Sequence, residues 1–139
     1  MIVAAAVDDR YGMLFNKRRQ SKDVKLREHL MAYCEGKELR MNEYSMKQFT
    51  EISDRNLKLY IGDDFLEGAG KESICFVENV SVLAHADKIE KVLLYKWNRT
   101  YPGDFYFDFP LTEHGFHCTV IEEFAGNSHE KITVEEWIR

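Results

Sequence analysis

The chain is poor in the residues that usually mark specialised architectures. Only two prolines and eight glycines occur in 139 residues, so no collagen-like, linker or low-complexity tract is present. The three cysteines, Cys34, Cys75 and Cys118, are odd in number and far apart. That spacing excludes a disulfide framework and a cysteine-rich zinc site. Cys75 and Cys118 fall in apolar runs and read as buried thiols, and Cys34 precedes a helix end with nothing local to activate it. No apolar run approaches the roughly 18 residues of a spanning helix. The apolar start, Ile2–Val7, has no basic residue before it and meets Asp8-Asp9 at once, so it reads as a strand rather than a signal segment. A cytoplasmic location is expected. The net charge of −5 gives no general attraction to nucleic acid or to a membrane surface. His114, His117 and His129 belong to no His-Glu-x-x-His or comparable pattern, so no metal site is expected.

What remains is a globular composition, 45% hydrophobic and 31% charged, at a length that suits a single domain over residues 1–139. Ile2–Val7 suits a central parallel strand. Residues 9–17 read as a loop, followed by a helix over 22–33 with Ser21 as its N-cap and Gly36 beyond its end. Glu38–Met41 reads as the next strand. Ser45 then caps a short helix carrying Met46, Phe49 and Ile52. Residues 57–61 alternate as a strand, and Asp63 or Asp64 caps a small helix through Phe65 and Leu66. Residues 105–109 alternate aromatics as another strand. Residues 115–124 and 129–138 form a closing hairpin around Ala125-Gly126-Asn127-Ser128.

The centre of the chain, residues 73–97, reads strand, helix-like segment, strand, which implies a parallel crossover. In nucleotide-binding crossovers the first turn carries glycines, because phosphate must approach the backbone and the helix N-terminus. Here that turn is Val77-Glu78-Asn79-Val80. It offers bulk and a carboxylate instead.

The order of elements, with several local strings, resembles the dihydrofolate reductase family. The strings are Ile2-Val3-Ala4-Ala5-Ala6-Val7-Asp8 with Gly12-Met13, then Lys37-Glu38-Leu39-Arg40-Met41-Asn42-Glu43-Tyr44-Ser45, then Val82 to Leu94. Gly103-Asp104-Phe105-Tyr106-Phe107, Ser128-His129 and the Trp137-Ile138-Arg139 terminus complete the set. The resemblance implies an α/β fold with a mostly parallel central sheet, flanking helices and a C-terminal antiparallel hairpin. It also implies NADPH and a pterin-like substrate. The family's Gly-Arg pair after the second strand, which serves the cofactor phosphates, is Asn42-Glu43 here. Its glycines before the crossover helix are Glu78-Asn79. Both departures set carboxylates against a polyanion, so NADPH in the usual manner is disfavoured and no cofactor is expected.

Candidate site residues follow from this frame. Asp23 matches the family's substrate carboxylate by position, although a carboxylate at a helix start is equally a dipole partner. Arg18 and Arg19 lie in the strongest basic cluster, Lys17 to Lys22, and suit an anion, a solvated loop or an oligomer contact. Asn42, Glu43, Tyr44 and Ser45, with Glu78 and Asn79, sit at strand C-termini, where open α/β sheets bind ligands. Asp8 would join them, and helix capping is the plainer role for Ser45 and Asn79. Ser128 and His129 do not read as a nucleophile–base pair, because neighbours on a strand point to opposite faces. Three functions follow. The favoured one is a small, anionic ligand bound at the strand ends without NADPH, and the second is an NADPH-dependent, oxidoreductase-like activity using Asp23. The third is a homo-oligomeric interaction protein, suggested by Trp97, Tyr101, Phe105, Tyr106, Phe107 and Phe109, although Trp97 by itself reads first as core packing.

Overall fold

The computed structural model describes residues 1–50 and 56–139. Ile52 of the short helix expected after Ser45 lies outside them. The elements in chain order are β1 (Ile2–Val7), β2 (Gly12–Phe15), β3 (Arg18–Arg19), α1 (Val24–Tyr33), β4 (Glu38–Met41) and α2 (Glu43–Met46). β5 (Lys58–Ile61), β6 (Ile74–Phe76), a 3-10 helix (Leu83–Lys88), β7 (Lys91–Lys96), β8 (Phe105–Tyr106), β9 (His117–Phe124) and β10 (Ile132–Ile138) follow. The seven-stranded sheet has the order β5-β4-β6-β1-β7-β10-β9. Its first five strands pair in parallel and the last two are antiparallel, as the sequence pattern expects.

β1 is central because it is apolar on both faces. Met1, Val3, Ala5 and Val7 enter one core with Val92, Leu94 and Phe109. Ile2 and Ala4 enter the other, with Leu26, Leu30 and Met31 of α1. The alternation of the strand thus builds two cores from one run of small and branched residues.

Several local expectations are corrected. Residues 9–17 are not only loop: β2 pairs with β3 and β8 in a second, three-stranded sheet. Asp8 makes that turn. Its carboxylate accepts from the backbone N–H groups of Arg10, Gly12 and Tyr101 and from Gln20 Nε2. Asn16 and Lys17, at φ 50° and 63°, form the two-residue left-handed turn that suits a right-twisted hairpin. Asp23, not Ser21, caps α1, accepting from Lys25 N–H at 2.9 Å. Asn42, not Ser45, caps α2. The segment after Asp63 is a run of turns rather than a helix. The 79–87 segment tightens into the 3-10 helix, and the strand expected over 105–109 is confined to Phe105–Tyr106, paired with β2.

Cys34 and Cys75 are buried, and burial pushes each thiol up to about 12. Cys118, on the outer strand β9, is only half-buried, contrary to expectation. Of the aromatics that suggested an interaction surface, Trp97, Phe107 and Phe109 are core and only Tyr106 is exposed. Among the described residues no helix is long and apolar enough to cross a membrane.

Leu30 is fully buried and Ile121 is 65% exposed. Leu30→Ala should therefore cost about 2–5 kcal/mol, and Ile121→Ala no more than about 0.5 kcal/mol. Urea unfolding of the two variants checks this.

Candidate functional site

Two side-chain groups lie along the segment that leads from β3 into α1. The first is ionic. Arg19 donates from Nε to Glu78 Oε2 at 2.9 Å and from Nη2 to Glu78 Oε1 at 3.2 Å. Its Nη2 also donates to the Tyr44 carbonyl, its backbone N–H to the Tyr44 hydroxyl, and its guanidinium lies 4.5 Å from the Tyr44 ring centre. Gln48 Nε2 donates to Glu78 Oε2 at 2.9 Å. Burial disfavours the Arg19 charge, but Glu78 outweighs it and raises the guanidinium pKa. Asn42 Nδ2 donates to Asn79 Oδ1 at 2.8 Å, tying the end of β4 to the segment after β6. The structure therefore gathers Arg19, Tyr44, Glu78, Asn42 and Asn79 at the strand ends. Arg18 and Glu43 are exposed, and Ser45 is buried inside α2, its hydroxyl without a partner among the described residues.

The second group centres on Asp23, whose side chain is fully buried. Besides Lys25 N–H, its carboxylate accepts from Asn127 N–H, Ser128 N–H, the Ser128 hydroxyl and His129 Nδ1, the last at 2.9 Å. Burial opposes ionisation, but the Asn127 N–H, the His129 ring and the other N–H donors outweigh it. They hold the carboxyl well below the usual range. His129 stacks on Trp97 with ring centres 4.4 Å apart. Its Nε2 lies 3.0 Å from Ser21 Oγ and 3.0 Å from the Tyr101 hydroxyl.

Ser128 and His129 do not point to opposite faces of a strand as expected, because both lie in the loop before β10 and both turn toward Asp23. Sequence reasoning named Asp23 and His129 separately. It missed Ser21 as His129's partner because 108 residues separate them. Asp8, expected among ligand contacts, is an internal clamp instead. Burial opposes its ionisation, but N–H donors from Tyr101, Gly12 and Arg10 keep its carboxyl below the usual value. Among the described residues no group of three His, Cys, Asp or Glu could hold a metal ion.

Arg18, Arg19, Ser21, Lys22 and Tyr44 line an open groove of about 360 Å³. A larger hollow of about 470 Å³ is lined by Trp97, Asn98, Arg99, Glu130 and Lys131. The smaller groove is the more informative, because it joins excess positive charge to the Ser21 hydroxyl.

No protein-family model and no curated protein sequence matches the chain. The fold does match a solved structure, dihydrofolate reductase from Enterococcus faecalis complexed with NADP(H) and RAB-propyl. The TM-score is 0.62 at 8% identity, covering 100% of this chain and 96% of that one. This chain therefore has a dihydrofolate-reductase-like fold.

Asp23 generates a pH prediction. A carboxyl held below its unfolded value contributes stability that is fully present above that value, near pH 4, and is lost as pH falls through the folded value. Asp23→Asn should cost about 3 kcal/mol or more at neutral pH, because it leaves the loop N–H donors poorly matched. It should also flatten the stability loss below about pH 4. Urea unfolding across that range reads both effects.

Proposed function

We propose that this chain binds a small anionic molecule at the groove of Arg18, Arg19, Lys22 and Tyr44, and does not hold NADPH in the reductase manner. The observation that carries this reading is the Arg19–Glu78 bridge. Glu78 stands where the reductase family, by the resemblance, keeps glycines for the cofactor phosphates. Glu43 adds a second carboxylate at the start of α2. A nucleotide phosphate would meet Glu78 already neutralised by Arg19 and would have to break that pair to find positive charge. The donor set therefore does not suit the cofactor. Arg18 and Lys22, both exposed in an acidic protein, leave cationic character at the groove for a smaller anion. The occupation of both Asp23 oxygens by protein donors supports the same reading, since a pterin-like ring would compete with them.

A second reading keeps NADPH-dependent reduction, on the strength of the full-length likeness to an enzyme solved with NADP(H). It requires the Arg19–Glu78 bridge to open.

Thermal unfolding separates the two. A ligand selective for the native state stabilises it by about 2.7 kcal/mol at a hundredfold excess over Kd. We expect a saturating rise in midpoint with succinate or inorganic phosphate and none with NADPH up to millimolar. Arg18→Ala with Lys22→Ala should remove the rise while changing the unliganded stability by no more than about 0.5 kcal/mol. A saturating rise with NADPH would favour the reductase.

A further inference from the structure

Ser21, His129 and Asp23 form one continuous hydrogen-bonded line. Ser21 Oγ lies 3.0 Å from His129 Nε2, and His129 Nδ1 lies 2.9 Å from Asp23 Oδ2. We propose that Ser21 is a nucleophile activated by His129, and that the groove hydrolyses a small carboxylic ester bearing a carboxylate or phosphate. Only the anionic part of that substrate rests on the groove reading above.

The protonation states follow from the partners. Asp23 is buried, accepts several N–H bonds and is ionised, so Nδ1 must donate to it. Nε2 is then the basic nitrogen, directed at Ser21. The Trp97 stack and the Asp23 bond fix the ring in plane and in rotation. A nucleophile, a base within hydrogen-bond reach and a third group orienting the base are the geometric roles that define acyl transfer by serine, whatever the fold. A purely structural pin needs the Asp23 bonds to the loop and one partner for Nε2. The buried Nε2 of such a pin would be satisfied by the Tyr101 hydroxyl alone, whereas the second hydroxyl, Ser21, lines a groove with Arg18 and Lys22.

The step balances without a further reagent. Ser21 Oγ bonds to the ester carbonyl carbon as its proton passes to His129 Nε2. The tetrahedral adduct collapses, the bond to the leaving alkoxide breaks, and the imidazolium returns the proton to that oxygen. Water then repeats the sequence on the acyl-serine and releases the acid. Arg18 and Lys22 line the same groove as Ser21 and add positive potential to it. The Tyr101 hydroxyl is also 3.0 Å from Nε2, so it competes with Ser21 for the same lone pair.

The test is labelling of the whole chain with an uncharged alkyl fluorophosphonate, read by intact mass and peptide mapping. Serine oxygen bonds to phosphorus, fluoride leaves, and the proton follows the same route to His129. We expect one adduct per chain, on Ser21, absent from Ser21→Ala, with hydrolysis of p-nitrophenyl acetate lost in parallel. Ser21→Ala removes one half-buried hydroxyl and keeps the Asp23 cluster, so its thermal midpoint should stay near that of the parent. His129→Gln, checked for folding by circular dichroism, should slow labelling by about 100-fold or more. No adduct on the folded parent protein, or an adduct that persists in Ser21→Ala, would overturn the proposal. Labelling without any succinate or phosphate shift would keep the nucleophile and discard the anion groove. The shift without labelling would do the reverse.

Discussion

The buried carboxylate of Asp23 is the constraint on which the site depends. An ionised carboxylate removed from water is costly unless donors surround it. Here the donors are local only in part. Lys25 N–H belongs to the first turn of α1, whereas Asn127, Ser128 and His129 arrive from 104 to 106 residues further on. The charge that caps a helix therefore also fixes the loop between β9 and β10, and through it the His129 ring. Gly126 makes the approach sterically feasible. A Cβ there would lie 2.7 Å from Asp23 Oδ2 and 2.7 Å from the His129 carbonyl oxygen. Backbone, cap and imidazole are one assembly, so the position of Ser21 relative to Nε2 is set by the same charge.

The strand ends are governed by a second, more exposed ion pair. Arg19 sits on the short strand β3, and Glu78 follows β6, so their bridge ties the small sheet to the central one. With side-chain exposures of 21% and 9%, the pair is shielded enough to matter more than a surface bridge. Its consequence for ligands is one of sign. In an open α/β sheet the C-terminal crevice is a general ligand site. Here Glu78 neutralises the deeper cation and leaves the positive potential at the rim, with Arg18 and Lys22. The proposed small-anion site rests on that distribution of charge.

The central strands were legible because burial on both faces leaves a short apolar run, as in Ile2–Val7 and Lys91–Lys96. The closing hairpin was legible from its turn composition. β2 was not, because its pairing depends on the Asp8 clamp and on two left-handed residues, neither of which leaves an apolar pattern. Caps were misread where two candidates stood within a few residues: Ser21 against Asp23, Ser45 against Asn42. The carboxylate and amide won because they reach the free N–H groups, while Ser21 was engaged by a histidine 108 residues away. That last contact had no local signal. Its only trace was that Asp23 and Ser128-His129 each stood out separately, and topology alone could join them.

The surroundings of His129 Nε2 bear on what the cluster can do. Two hydroxyl oxygens, from Ser21 and Tyr101, stand at equal distance from one nitrogen. A neutral imidazole offers a single in-plane lone pair there, so one hydroxyl donates while the other turns its proton elsewhere. A protonated ring reverses the bond and donates to either oxygen. The site can therefore satisfy Nε2 in both protonation states without moving the ring, while Nδ1 donates to Asp23 throughout. A buried histidine in a structural role needs one such partner, and a general base of the kind proposed would use the same tolerance to accept a proton and give it back within a fixed geometry. Fold likeness alone would assign this chain to hydride chemistry, but fold does not fix function. Asp23 is the only group the resemblance marked as catalytic, and here its carboxylate is hydrogen-bonded to the His129 imidazole.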